Sequence, residues 1–345
     1  MKNKELVSAI GLAATVALLL GGCAATPAQS TDPGRGKSTD LSGRIRIGLA
    51  APAAALLLPL VAQDEGIFKK HGLNDVEVTF MPGPQLIPAA AGGAFEIAIS
   101  APPAAQLTAL QGGGSLQTLA GWVKNPGQVL VVTENIKTVK DLRGRKVGIN
   151  GSKGQSSSLL MNQALRQNGM TFDDVQVLVT QDAVTQVQSF VGGQIDAMVT
   201  GEPLLSRAIA SRPGSHVIED YSGLDYFPGT EVNANKKWLD SKPDQAVAVL
   251  QALDEALQLW KSAPEVAKKS IGKNLKLDST DPQIDMLYTH TIDKLFTKSL
   301  QPVSVSDTQK LLAMLRDNGF PEAKDDMAGT IVRTDVLEKA LGKKP

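Results

Sequence analysis

The chain has 345 residues, enough for about two folded units at ~150 residues each, and its 35 Lys plus Arg balance 35 Asp plus Glu. That neutrality, without any long basic run, argues against nucleic-acid binding, where phosphate contacts dominate affinity. Hydrophobic residues at 42% and charged residues at 20% fit a globular protein rather than a disordered one. A single cysteine, Cys23, permits no intramolecular disulfide, thiolate metal cluster or Cys-x-x-Cys pair. His71, His216 and His290 are too dispersed for a zinc-ligand spacing, so neither metal nor cofactor is expected.

The chain opens as an address. Lys2 and Lys4 precede an apolar stretch from Val7 to Leu20, then Gly21-Gly22-Cys23. A charged start, a short apolar run and small residues before a cut site describe a secretory signal peptide over 1–22. The run is too short for an ordinary membrane span of about twenty residues. Leu20-Gly-Gly-Cys23 also resembles the bacterial lipobox, which makes Cys23 a candidate for lipidation. Residues 24–43 hold fourteen Ala, Thr, Ser, Pro or Gly in twenty, a composition that reads as a flexible tether. Residues 23–43 would then keep a soluble domain near a bacterial membrane, extracytoplasmic and attached through lipid alone.

Beyond the tether, short β-rich runs alternate with helical segments. Strands are expected at 44–49, 76–80, 96–100, 116–121, 128–133, 146–150, 175–180 and 195–200. Helices are expected at 56–71, from about Gln155, at 184–191 and from Pro203. Such alternation argues for α/β units with parallel strands covered on both faces. One stretch recurs: Gly92-Gly-Ala-Phe-Glu-Ile-Ala-Ile-Ser-Ala-Pro-Pro103 aligns without gaps on Gly192-Gly-Gln-Ile-Asp-Ala-Met-Val-Thr-Gly-Glu-Pro203. Two lobes of similar build follow: 44–122 with 225–345, and 123–224. Residues 243–341 read as mainly helical, with Val247, Leu250, Leu253, Leu257 and Trp260 in one apolar stripe. Helices around 281–298 and 306–318 are expected to pack on the first lobe. Two crossings, near 121–127 and 221–229, would make a hinge.

Several motifs resemble the nitrate/sulfonate/taurine and thiamine-pyrimidine type of solute-binding protein from ABC importers. They are Val61-Ala-Gln-Asp-Glu-Gly-Ile-Phe-Lys-Lys-His-Gly-Leu73, Gly92-Gly to Ser100, Val139-Lys-Asp-Leu-Arg-Gly-Arg-Lys-Val-Gly148, Gly192-Gly-Gln-Ile-Asp196, Glu202-Pro203 and Trp238-Leu to Pro243. Glu96 departs from the more usual Asp but keeps the acid. The resemblance implies a type II periplasmic-binding-protein fold, two α/β lobes joined by two crossing segments with a cleft between them. It also implies a monomer that hands its cargo to a permease and ATPase and is not an enzyme. The cargo implied is a small organic anion, alkanesulfonate or taurine-like. A thiamine-pyrimidine or other N-heterocycle is the alternative, as is an enzyme on the same scaffold.

In parallel α/β sheets, ligands bind beyond the carboxyl ends of the strands, where helix N-termini offer N–H groups and a positive dipole end. The loop Asn150-Gly-Ser-Lys-Gly-Gln-Ser-Ser-Ser158 is the richest such site, with Gln155, Ser156 and Ser157 as candidates that equally suit helix capping. Gln85 and Ser100 stand at the matching loops of the first lobe, as ligand contacts or as turn residues. Ala50-Ala-Pro-Ala-Ala-Ala55 predicts an apolar wall. Trp122 at the first crossing, and Tyr226 and Phe227 at the second, could stack on a ligand or pack at the hinge. Glu202 either caps a helix or faces the cleft, where it would favour a ligand carrying an amine.

Overall fold

The structure, a computed structural model, describes residues 41–342 except 101–102, 112 and 225–229. Eleven described strands form two sheets. The first contains β1 (Ile45–Leu49), β2 (Val76–Phe80), β3 (Ile97–Ile99), β4 (Leu116–Val123), β10 (Glu231–Asn235) and β11 (Phe296–Gln301), in the order β11-β4-β10-β3-β1-β2. The second contains β5 (Gln128–Val132), β6 (Lys146–Asn150), β7 (Gln176–Thr180), β8 (Ala197–Gly201) and β9 (His216–Asp220), in the order β7-β6-β8-β5-β9.

One topology is used twice. β1 pairs parallel with β2 and β3, and β6 pairs parallel with β7 and β8. The next strand in each sheet, β10 or β5, runs antiparallel and arrives directly after a crossing between lobes. The duplication reaches single hydrogen bonds. The Glu96 carboxylate accepts from the Arg46 main-chain N–H at 2.7 Å, and Asp196 accepts from Lys146 N–H at 3.1 Å. Gly93 and Gly193, at φ +88° and +74°, end the preceding helices, in a region that L side chains enter at a steric cost.

The first core lies between the first sheet and the long helix Pro243–Ser262, whose Leu250, Leu253, Leu257 and Trp260 are fully buried. Trp122, fully buried, belongs to the same core. The second core gathers Leu130, Val147, Leu160 and Leu165 behind the second sheet.

Three expectations need correction. The helix expected over 56–71 is interrupted, running Leu58–Asp64 and then Ile67–Lys70, because Gly66 turns left-handed at φ +69°. The helix expected around 281–298 stops early. Pro282–His290 continues into a π-helical turn, Thr291–Leu295, and then β11 adds to the sheet edge beside β4. Phe296 and Leu300 of β11 are buried, while Lys298 between them is exposed where the pairing with β4 is irregular. Finally, helix Val305–Asp317 packs on both lobes rather than on the first alone, meeting first-lobe helix Pro103–Gln111 as well as helix Ser156–Gln167 of the second. Its Leu312 and Leu315 join the second lobe's core, and Asn162 of helix Ser156–Gln167 donates to Asp317 O at 3.1 Å.

Candidate functional site

Two adjoining cavities of about 650 and 560 Å³ open between the sheets and share Ser100, Gln128 and Asn150 in their walls. They lie where β1, β3, β6 and β8 end, as strand direction requires in a parallel sheet.

One wall is apolar. Ala50 to Leu56 presents methyl groups and backbone, joined by Phe80 and Met81. Trp122 supports this wall from behind, its indole N–H donating to Ala55 O at 2.8 Å. The ring does not line either cavity. Burial on all sides therefore makes Trp122 a buttress, the packing role among the two alternatives the sequence left open. Tyr226 and Phe227, like Cys23, lie outside the described residues.

The polar end is built mainly by the second lobe. Gln155, Ser156 and Ser157 line it, with Gln85 and Ser100 from the first lobe. Helix Ser156–Gln167 begins here, and Gln155 at its N-cap makes no side-chain cap bond. Ser158 turns away, donating its hydroxyl to Ser152 O at 2.8 Å. Ser157 is 3% exposed and its Oγ has no hydrogen-bond partner. Such a group costs about 1–3 kcal/mol unless something satisfies it. Ser100 sits at φ +57°, a strained region for a residue with a side chain, and its main-chain N–H donates to Glu231 O at 3.0 Å.

Three more polar residues stand here, of which Asn150 opens the loop singled out from the sequence while Gln128 and Glu231 lie outside every candidate loop. Gln128, the first residue of β5, has an Oε1 that is buried without a partner. Asn150 ends β6 at the junction of the two cavities. Glu231, the first residue of β10, is 6% exposed, and burial pushes its carboxyl up to about 8. The run Glu231-Val-Asn-Ala-Asn235 carried a usable signal, since period two places all three polar side chains on one face. Among the described residues lining this end there is no Lys, Arg or His.

Glu202 lies at the other end, beside the start of a helix and in the cavity wall. Its carboxylate accepts from the Ser206 hydroxyl at 2.8 Å and the Ser206 main-chain N–H at 3.2 Å, inside helix Leu204–Ser211. It also lines the larger cavity, together with His290. Burial pushes His290 below the usual imidazole range, against the pull of Glu202.

Residues 56–267 match the family described as NMT1/THI5 like. The chain belongs to that family. A Brucella abortus protein named only as a binding protein is 27% identical over 241 residues, which span 69% of this chain and 73% of that protein. The periplasmic aliphatic sulphonate binding protein SsuA from Escherichia coli superposes with a TM-score of 0.71 at 24% identity, covering 85% of this chain and 93% of its own. The periplasmic nitrate-binding protein NrtA from Synechocystis gives 0.64 at 18% identity, covering 87% and 88%. These likenesses establish the periplasmic-binding-protein fold, the two-lobed architecture implied by the sequence motifs. The NMT1/THI5-like segment contains Ser100, Gln128, Ser157, Glu202 and Glu231, whereas His290 and helix Val305–Asp317 lie beyond it.

Proposed function

We propose that this protein is the extracytoplasmic solute-binding component of an ABC importer, taking a small organic anion of the alkanesulfonate or taurine-like class into its cleft. Ser157 carries the reading. An unpartnered, buried hydroxyl at the start of a twelve-residue helix asks for an acceptor, and an anion oxygen is one. Gln128 and Asn150 supply neutral polar contacts, and the alanine wall takes an apolar body. Names borne by proteins of similar fold, sulphonate-binding and nitrate-binding, are of the same chemical kind. The role is capture rather than catalysis, since the only cysteine is Cys23 and the cleft holds no thiol nucleophile. In this reading Cys23 carries lipid, residues 24–43 are the tether, and the monomer delivers its cargo to a permease.

Glu202 favours a second reading. A carboxylate at the far end of the cavity suits an amine or an aminopyrimidine N–H. Thermal-shift and calorimetric titration of the mature chain with ethanesulfonate, taurine, nitrate and an aminopyrimidine separates the two. A bound ligand stabilises by RT ln(1 + [L]/Kd), ~2.7 kcal/mol at a hundredfold excess over Kd. Binding of the sulfonates supports the first reading. A response to the aminopyrimidine alone replaces it with the second, and no response to any of the four overturns both.

A further inference from the structure

We propose that Glu231 meets the bound anion as a neutral carboxylic acid, donating its own proton to a ligand oxygen. The proposal rests on the anion reading and adds to it the group that makes capture proton-linked.

The geometry isolates this carboxyl. Glu231 lines the polar end of the cleft on one side and a small cavity of about 30 Å³ on the other. It shares a face of β10 with Asn233, which accepts from the Thr118 hydroxyl at 2.7 Å and from the Gln106 amide at 3.1 Å. Of the elements packed on β10, strands β3 and β4 and helix Gly83–Ala91 contribute no ionisable side chain. Helix Lys236–Ser241 follows the opposite end of the strand, with Lys236 paired to Asp240 and Lys237 beside them. Across the small cavity stands Asp307 of helix Val305–Asp317, itself paired with Lys310 at 3.0 Å. Across the cleft stands Asp182, whose carboxylate caps its own helix through the Thr185 N–H at 2.7 Å. No cation lines either cavity among the described residues.

A buried acid with no cation facing it favours the protonated form, and burial is the cause here. An ionised Glu231 beside an anion would add direct repulsion, so the anion selects the neutral acid, which has one O–H to give. Its raised pKa, about 8, leaves the acid protonated at neutral pH. Binding therefore weakens once the free protein loses this proton.

The test uses ethanesulfonate and nitrate, neither of which titrates between pH 6 and 9. Calorimetry of the wild type should give a flat affinity up to pH 7 and about a tenfold loss by pH 9. Glu231→Gln keeps an N–H donor and should bind with no such loss. A flat wild-type profile with measurable binding overturns the inference and leaves the anion reading intact, whereas failure of both probes to bind at any pH overturns that reading and this one with it. Should the variant not fold, carboxyl 13C NMR of the wild type decides. A Glu231 resonance at the neutral-acid position at pH 7 supports the proposal, and a carboxylate position at pH 6 overturns it.

Discussion

Glu96 and Asp196 perform one task in two places, each returning a carboxylate oxygen to the first-strand N–H of its own sheet, Arg46 at 2.7 Å and Lys146 at 3.1 Å. The main-chain partners are duplicated as well, Glu96 N–H to Arg46 O at 3.1 Å and Asp196 N–H to Lys146 O at 2.7 Å. A side chain that ties the start of one strand to the start of its neighbour sets the register of both. Asp and Glu serve equally because the reach differs by one methylene while the acceptor is the same.

The same duplication places a glycine at the centre of each parallel strand pair. A Cβ on Gly48 would meet Leu86 Cδ1 at 2.1 Å, and one on Gly148 would meet Ile195 Cδ1 at 2.4 Å. Gly48→Ala and Gly148→Ala should each destabilise by about 1–3 kcal/mol through overpacking. Their effects in the double variant should add to within about 0.5 kcal/mol, because the sites occupy separate cores. Urea denaturation of the three variants measures both points.

Removing the Ser157 hydroxyl separates binding from stability. Ser157→Ala deletes a buried group that has no partner in the free protein, so the melting temperature should hold or rise slightly. Affinity for an anionic ligand should fall about tenfold, the ~1.4 kcal/mol of one hydrogen bond to a charged acceptor. Calorimetry beside a thermal melt tests the split.

Trp122 should influence binding without touching the ligand. Trp122→Phe preserves most of the packing but strands the Ala55 carbonyl, whose donor is the indole N–H. The expected cost is about 1–3 kcal/mol in stability, with weaker ligand binding because the 54–56 wall loses its support. A stability loss with unchanged affinity would confine the tryptophan to the core.

His290 gives an acid limb to the stability profile. Burial holds its folded pKa below the usual 6.5, so on acidification the unfolded chain takes up the proton first. Stability is therefore lost as pH falls below about 6.5. His290→Gln should reduce that loss, as read by melting temperatures between pH 7.5 and 5.5 against the wild type. An unchanged difference across the range would remove His290 from the acid response.

Local pattern made much of this fold legible. Lys146–Asn150 forms a strand as its sequence predicts, and Gly72 and Gly169 follow helix ends at φ +82° and +70°. Strands failed to announce themselves where burial is achieved by polar pairing rather than by apolar side chains. β10 is buried yet reads Glu-Val-Asn-Ala-Asn, and the Asn235 amide is satisfied partly by the carbonyl of Ala90, distant in sequence, at 2.8 Å. β11 hid for a different reason, because Phe296-Thr-Lys-Ser-Leu-Gln301 follows a helix without a break and gains its identity from β4. The loops that the parallel-sheet rule selects include Ser157 and Glu202, which line the two cavities. The rule could not reach Glu231, which enters from an antiparallel strand it does not consider.

Helix Val305–Asp317 gives the C-terminal segment a mechanical role. The chain leaves β11 in the first sheet, lays this helix on the second lobe through Leu312, Leu315 and the bond from Asn318 to Lys153 O at 3.0 Å, then rejoins the first sheet where Val332 bridges Thr118. It is thus buckled to both halves like a strap across a case. Separating the two halves would have to stretch that strap or carry it along, so the C-terminal segment ties together two sheets that it does not itself extend beyond β11.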